Sequence, residues 1–155
     1  MTDNNVHYIE PLPFESYPNK GRILLGQVRG SNCRHGYGLE FMRLTGQAKC
    51  VYCSIDLAEV YENWLNMALD HVIPYNTCQS WNVPTEWRED YSNRVLSCTT
   101  CNTFGNRYSP KGLSRPSTLE EFYNRRDIIF SERKSLILDR HRQEREFFDK
   151  RPWAT

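Results

Sequence analysis

Four positions in the middle of the chain have side chains suited to hydrolytic chemistry: the adjacent pair Asp70 and His71, then Asn93, then Asn102. A carboxylate and an amide oxygen suit a hard cation such as Mg²⁺ or Mn²⁺, which keeps its waters and accepts phosphate oxygens. That leaves the imidazole to act as a base. With an ordinary pKa of about 6.5, His71 can take a proton from an attacking water at neutral pH, a contribution of about 10² to 10⁴ in rate. Adjacent residues on a strand point to opposite faces, so Asp70 and His71 are expected to have different jobs. Two Cys-x-x-Cys pairs, Cys50 with Cys53 and Cys98 with Cys101, flank the set. Each pair can place two thiolates on one edge of a tetrahedral zinc, and four soft ligands would close the site and make it structural. A redox pair of the thioredoxin type, or unrelated thiols, are the alternatives. Between Cys53 and Cys98 lie 44 residues, more than the about fifteen to twenty of a compact ribbon, so a staple here encloses a substructure of its own. Cys33 and Cys78 read as buried thiols, although Cys33-Arg34-His35 can be drawn as ligands. His7, His35 and His141 lack such a frame and are assigned no chemistry.

The elements that must position these groups are partly legible. Leu69, Val72 and Ile73 around Asp70 and His71 read as a strand closed by Pro74, which cannot donate to a ladder. Residues 75 to 92 read as a long polar loop with Trp81 and Trp87, Val95 and Leu96 as a second short strand, and Thr99 to about Arg107 as a helix. Ser117 with Glu120 three residues on has the signature of a capping box, heading a helical stretch to about Lys150 that no Gly or Pro interrupts. Arg126 and Arg133 break its apolar stripe, so one helix and two packed helices fit equally. Upstream, residues 1 to 20 with Pro11, Pro13 and Pro18 suit an extended arm, Gly21 to Gly38 a strand and a loop, and Leu39 to Leu44 a short helix. Tyr61 to Leu69 fits either the end of a helix or the approach to a strand.

A chain of 155 residues fits one domain with a flanking arm. A net charge of +1 gives no overall attraction to a polyanion, so nucleic-acid binding needs its cations gathered on one face. Arg22, Arg29, Arg34 and Arg43 form one candidate cluster, within which Arg29 and Arg34 are the predicted substrate contacts. Arg125, Arg126, Arg133 and Lys134 form another, but Glu120, Glu121, Asp127 and Glu132 dilute it and favour a solvated helix face with local ion pairs. Trp81 and Trp87 are expected to cover a small core, with base stacking as the other use. No apolar run reaches eighteen residues and the first twenty lack the pattern of a signal peptide, so a cytoplasmic protein is expected. In that reducing compartment paired cysteines more often bind metal than form disulfides.

Taken in order, Cys50-x-x-Cys53, Leu69-Asp70-His71-Val72-Ile73-Pro74, Ser92-Asn93-Arg94-Val95-Leu96 and Cys98-x-x-Cys101-Asn102 resemble the HNH endonucleases. The resemblance implies an α+β fold with a small ββα-metal (His-Me finger) nuclease core over residues 46–108, stapled by zinc knuckles. An N-terminal arm and short α/β extension would occupy residues 1–45, and a C-terminal helical segment packing on the core residues 117–150. It further implies a metal-dependent endonuclease cutting phosphodiester bonds of nucleic acid, double-stranded DNA above all, to leave 5′-phosphate and 3′-hydroxyl ends. In that reading His71 activates the water, Asn93 braces the hairpin loop and orients His71, and Asp70 and Asn102 hold one catalytic Mg²⁺ or Mn²⁺. Cys50, Cys53, Cys98 and Cys101 hold a structural zinc. Two departures stand out: the third signature position is Asn102 and not His, and Gly105 stands where many members have Lys. Arg107 is then the candidate for that phosphate contact, and Asn106 competes with Asn102 as ligand. Double-strand cutting would favour a homodimer through the C-terminal helices. A reading of a different class is a zinc-stapled module that binds nucleic acid or protein without catalysis.

Overall fold

The structure, a computed structural model, describes residues 12–154. Its centre is a short antiparallel hairpin, β1 (Met67–His71) and β2 (Arg94–Cys98), in which His71 pairs with Arg94, Asp70 with Val95, and Met67 with Cys98. This register puts the Asp-His pair at one end of the ladder and Cys98 at the other, about 13 Å apart at the usual rise of a strand. Before β1 lie α1 (Gly38–Thr45) and α2 (Tyr61–Leu65), so the ambiguous stretch from Tyr61 is both a helix and the entry to a strand.

The segment between the strands is not the long polar loop expected. It folds as α3 (Tyr75–Trp81) and α4 (Thr85–Glu89), which Pro74 and Pro84 precede at the cap positions. The reason is burial: Ile73, Cys78 and Trp81 form an apolar cluster with Phe122, Tyr123 and Ile129, and half-buried Trp87 packs against Phe122. Both tryptophans thus cover core. After β2 the chain enters α5 (Thr99–Gly105), near the expected helix bounds.

The C-terminal stretch is one helix, α6 (Leu119–Lys150), of 32 residues. Its N-cap is Thr118, one place beyond the expected Ser117: the Thr118 hydroxyl accepts from the Glu121 N–H, and the Glu121 carboxylate accepts from the Ser117 N–H. Arg126 and Arg133, expected on a solvated face or as breaks between two helices, are instead fully buried within the stripe. Arg126 donates to the carbonyls of Gly21 (2.8 Å) and Ser92 (2.7 Å), pairs with Asp127 and lies 3.6 Å over the Phe14 ring. Arg133 donates to the carbonyls of His71 (2.6 Å) and Val72 (3.0 Å). Arg126 satisfies its guanidinium fully, and Arg133 satisfies both terminal nitrogens while its Nε has no partner, so oxygen acceptors offset most of the lost water and the stripe continues through them. From Arg142 to Lys150 every residue is exposed, so the last turns of α6 project from the body.

The described part of the expected arm is core as well. Pro13–Ser16 and Pro18–Gly21 form 3₁₀ turns that bury Phe14 and Tyr17 beside Phe41, Tyr52 and Phe130, and the Tyr17 hydroxyl donates to the Arg94 carbonyl. His7 and Pro11 lie outside the described residues. No strand forms between Gly21 and Gly38; a single bridge joins Gln27 to Asp90. The buried Asp90 carboxylate ties this segment down by accepting from the N–H groups of Leu25, Gly26 and Ser92.

Candidate active site and sulfur cluster

At the Asp70-His71 end of the hairpin a cavity of about 280 Å³ is lined by Asp70, His71, Tyr75, Asn76, Asn106 and Arg133 among others. Both members of the pair reach it, although adjacent strand residues were expected to diverge, because the strand ends there and Asp70 turns toward the core. The Tyr52 hydroxyl (3.1 Å) and the Arg133 guanidinium (2.8 Å) both bind Asp70 Oδ2, so that Oδ1 is the oxygen available to the cavity. Burial pushes the Asp70 carboxyl above the usual carboxylate range, while Arg133 and Tyr52 pull it back down. A buried guanidinium without an anion costs more than the pair, so the two stay ionised at neutral pH.

His71 has a partner at each ring nitrogen. Nε2 lies 3.2 Å from Glu89 Oε1, and Nδ1 lies 3.4 Å from a guanidinium nitrogen of Arg94. A carboxylate can only accept and a guanidinium only donate, which assigns the proton of the neutral ring to Nε2 and the lone pair to Nδ1. Burial first, and the charge of Arg94 second, bring the His71 pKa down to about 4. Glu89 is itself held below the usual carboxylate range, against the effect of its partial burial, by Arg88, His71 and Arg94. At neutral pH the ring is therefore a neutral base whose proton-bearing side faces an anion.

Asn93 is fully buried and its hydrogen bonds go to residues other than His71. Its side chain accepts from the Ile73 N–H (3.0 Å) and donates to the carbonyls of Ile73 (3.3 Å) and Arg88 (3.0 Å), while its own carbonyl accepts from the Val72 N–H. It thus fixes the two residues that follow His71 and the start of the Glu89 turn. Asn102 is half-buried and is not among the residues lining the cavity, whereas Asn106, one helical turn later, is. Arg107 is exposed and lines a separate groove with Tyr108 and Glu132. Arg29 is exposed; Arg34 donates to the Leu65 carbonyl and stacks on Trp64, near the opposite end of β1 from His71. The structure therefore brings Asp70 and His71 to the cavity, sets Asn93 in the core behind them, and leaves Asn102, Arg107, Arg29 and Arg34 off the cavity wall.

Gly105 explains part of this. A Cβ there would lie 2.6 Å from a guanidinium nitrogen of Arg133, so the absent side chain is the space through which α6 delivers a cation. The positive charge expected at that position in α5 comes from another element. Sequence reasoning missed Glu89, Tyr52 and the role of Arg133, because each reaches the site across the fold and none has a local signal. Arg94, inside the recognised Ser92–Leu96 stretch, could have been found from its pairing opposite His71.

At the other end of the hairpin the sulfur atoms of Cys50, Cys53, Cys98 and Cys101 all lie within 4.8 Å of one another. A tetrahedron with metal–sulfur distances of about 2.3 Å has edges of about 3.8 Å, and Cys53 Sγ and Cys98 Sγ are 3.8 Å apart. The first pair sits in a knuckle turn: the Cys50 N–H donates to the Ile55 carbonyl, the Ser54 N–H to that of Cys50, and Ser54 takes a left-handed φ of 68°. Val51 N–H donates to Leu96 O and fastens the knuckle to β2. In the second pair Cys98 caps α5, its sulfur accepting from the Cys101 N–H. Four sulfurs converging at this spacing are a soft donor set that fits a divalent ion such as zinc. Cys78 is buried and Cys33 half-buried, and among the described residues neither joins a cluster of potential metal ligands.

Comparison with protein-family models, curated proteins and solved structures finds no match. Among the described residues, no helix is long and apolar enough to cross a membrane.

Proposed function

We propose that the protein is a metal-dependent endonuclease of the HNH type that hydrolyses phosphodiester bonds of double-stranded DNA in the Asp70-His71 cavity. The observation that carries the reading is an imidazole with a carboxylate 3.2 Å from Nε2 and only a long 3.4 Å contact at Nδ1, beside a carboxylate that keeps one oxygen for the cavity. His71 takes the proton of a water whose oxygen attacks phosphorus; the bond from phosphorus to the 3′ oxygen breaks, and that oxygen gains a proton. The 3.4 Å contact with Arg94 is long, and a water can replace it at Nδ1. Glu89 keeps the ring in the productive tautomer and stabilises the imidazolium as it forms. Asn93 holds the turn that fixes both. Asp70 Oδ1 with the amide of Asn106, in place of the expected Asn102, would hold one Mg²⁺ or Mn²⁺, which when bound supplies charge stabilisation to the phosphate and the leaving oxygen. Arg133 orients Asp70 and reduces its charge, so the ion would depend on waters and substrate phosphate for its remaining ligands. The four cysteines would hold a structural zinc.

The test is cleavage of supercoiled plasmid by zinc-loaded protein with added Mg²⁺ or Mn²⁺. Nicking or linearisation that is lost in His71→Ala and lost on withholding the ion is expected. Zinc-loaded, folded protein that leaves plasmid, single-stranded DNA and RNA intact overturns the reading. One observation favours a module that binds without cutting: Asp70 is already neutralised by Arg133, which weakens its pull on a cation.

A further inference from the structure

The sulfur cluster has a neighbour that the cysteine spacing does not reveal. The buried stripe of α6 runs through Arg133 and Ile137 at intervals of four residues and reaches His141, whose Nε2 lies 3.0 Å from Cys101 Sγ. The imidazole is seated edge-on against Phe104 of α5, with ring centroids 5.0 Å apart, so its approach to the sulfur is fixed by packing. Four thiolates on one zinc carry a net charge of about −2, in a site where Cys50, Cys98 and Cys101 are buried. An N–H aimed at a thiolate disperses that charge and keeps the sulfur on the metal. Cys98 already receives the Cys101 N–H in this way.

We propose that His141 is the outer donor of the zinc site: its Nε2–H donates to the Cys101 thiolate, while the metal itself stays bound by the four sulfurs. His141 is thus a positioning residue. Three segments close the site, the two knuckles and α6, and metal loading fastens the long helix to the hairpin. The inference rests on the assignment of the sulfur cluster as a metal site and is independent of the cleavage reaction. Outer donors of this kind are typically worth about 10- to 100-fold in metal affinity.

The experiment uses the full chain loaded with Co²⁺ or zinc, comparing wild type with His141→Ala, His141→Gln and His141→Phe. The phenylalanine variant keeps a ring against Phe104 without a donor; the glutamine variant keeps a donor N–H. Expected are a four-sulfur tetrahedral cobalt spectrum in all folded variants and a displaced sulfur-to-cobalt charge-transfer band in the alanine and phenylalanine variants. Zinc should pass to a chromophoric chelator about tenfold faster from these two, with most of the change recovered by glutamine. Should alanine fail to fold, the phenylalanine and glutamine pair decides the question. A charge-transfer band and release rate in His141→Phe equal to wild type overturn the proposal. So does X-ray absorption of the wild-type zinc protein giving three sulfurs and one nitrogen, or purified protein that takes up neither metal. Wild-type protein that gives the expected cobalt and zinc results but leaves plasmid intact would count against the nuclease reading alone.

Discussion

At the scale of single residues, the protonation of His71 makes the sharpest claim. Its pKa in the fold, about 4, lies below the ordinary 6.5, so the unfolded chain takes up a proton first as the pH falls. The stability that depends on neutral His71 is therefore complete above about pH 6.5 and is lost as the pH falls toward about 4. Urea midpoints should drop more between about pH 7 and pH 5 for wild type than for His71→Asn; equal drops would remove the buried neutral imidazole from the account. On the proposed reaction, the acid limb of kcat/KM should likewise sit near pH 4 and not at about 6.5, and Glu89→Gln should lower kcat about 10²-fold by weakening the hold on the imidazolium. Asn93 differs in kind, since it acts through the backbone. Asn93→Ala leaves the Ile73 N–H and the Arg88 carbonyl without their side-chain partner, and the Ile73 carbonyl with the Cys78 thiol alone, a loss of about 2 to 4 kcal/mol that chemical denaturation would register. The sequence marks Asp70, His71 and Asn93 because their types and order are informative by themselves. Glu89 and Tyr52 were hidden, since their importance lies in contacts across 18 residues of chain.

Among elements, the hairpin end and α6 form one unit joined by Arg133. Removing its guanidinium leaves Asp70 as an uncompensated buried charge and frees two carbonyls, so Arg133→Met should cost about 3 to 5 kcal/mol. Gly105→Ala probes the same junction from the other side by thrusting a methyl group to 2.6 Å from the guanidinium. It should displace Arg133 and lower stability by about 1 to 3 kcal/mol; a midpoint equal to wild type would show that the arginine moves aside without penalty. These contacts also explain what the sequence concealed about α6. A stripe rule that counts arginine as polar finds breaks at Arg126 and Arg133, whereas the fold uses their carbon stems as apolar surface and their tips to satisfy carbonyls. The two strands and α5 were legible from short apolar runs beside recognisable turn and cysteine signals. The two helices between the strands were not, because their apolar residues serve a cluster completed by α6, far along the chain.

On the scale of the whole molecule, the body ends where α6 leaves it. The residues from Arg142 to Lys150 are exposed, and Phe147, Phe148 and Trp153 group together beyond the core. A chain ending at Gln143 should keep its thermal midpoint, with a stability change within about 0.5 kcal/mol; a larger loss would show that the projecting end supports the fold. If instead that end joins two copies, sedimentation of wild type should give twice the mass of the shortened chain. The core has its own demand on order. Phe14 packs on Phe130, Gly21 is held by Arg126 across 105 residues, and Arg22 reaches Glu120, Asn124 and Asp127. During synthesis Phe14 to Arg22 thus wait for a helix made about 105 residues later. Until that helix emerges, the hairpin lacks the arginine that holds Asp70 and the apolar clusters lack their shared wall. A nascent chain is then unable to assemble the cavity until α6 has emerged, so that on the proposed reaction nucleic acid meets no half-made site.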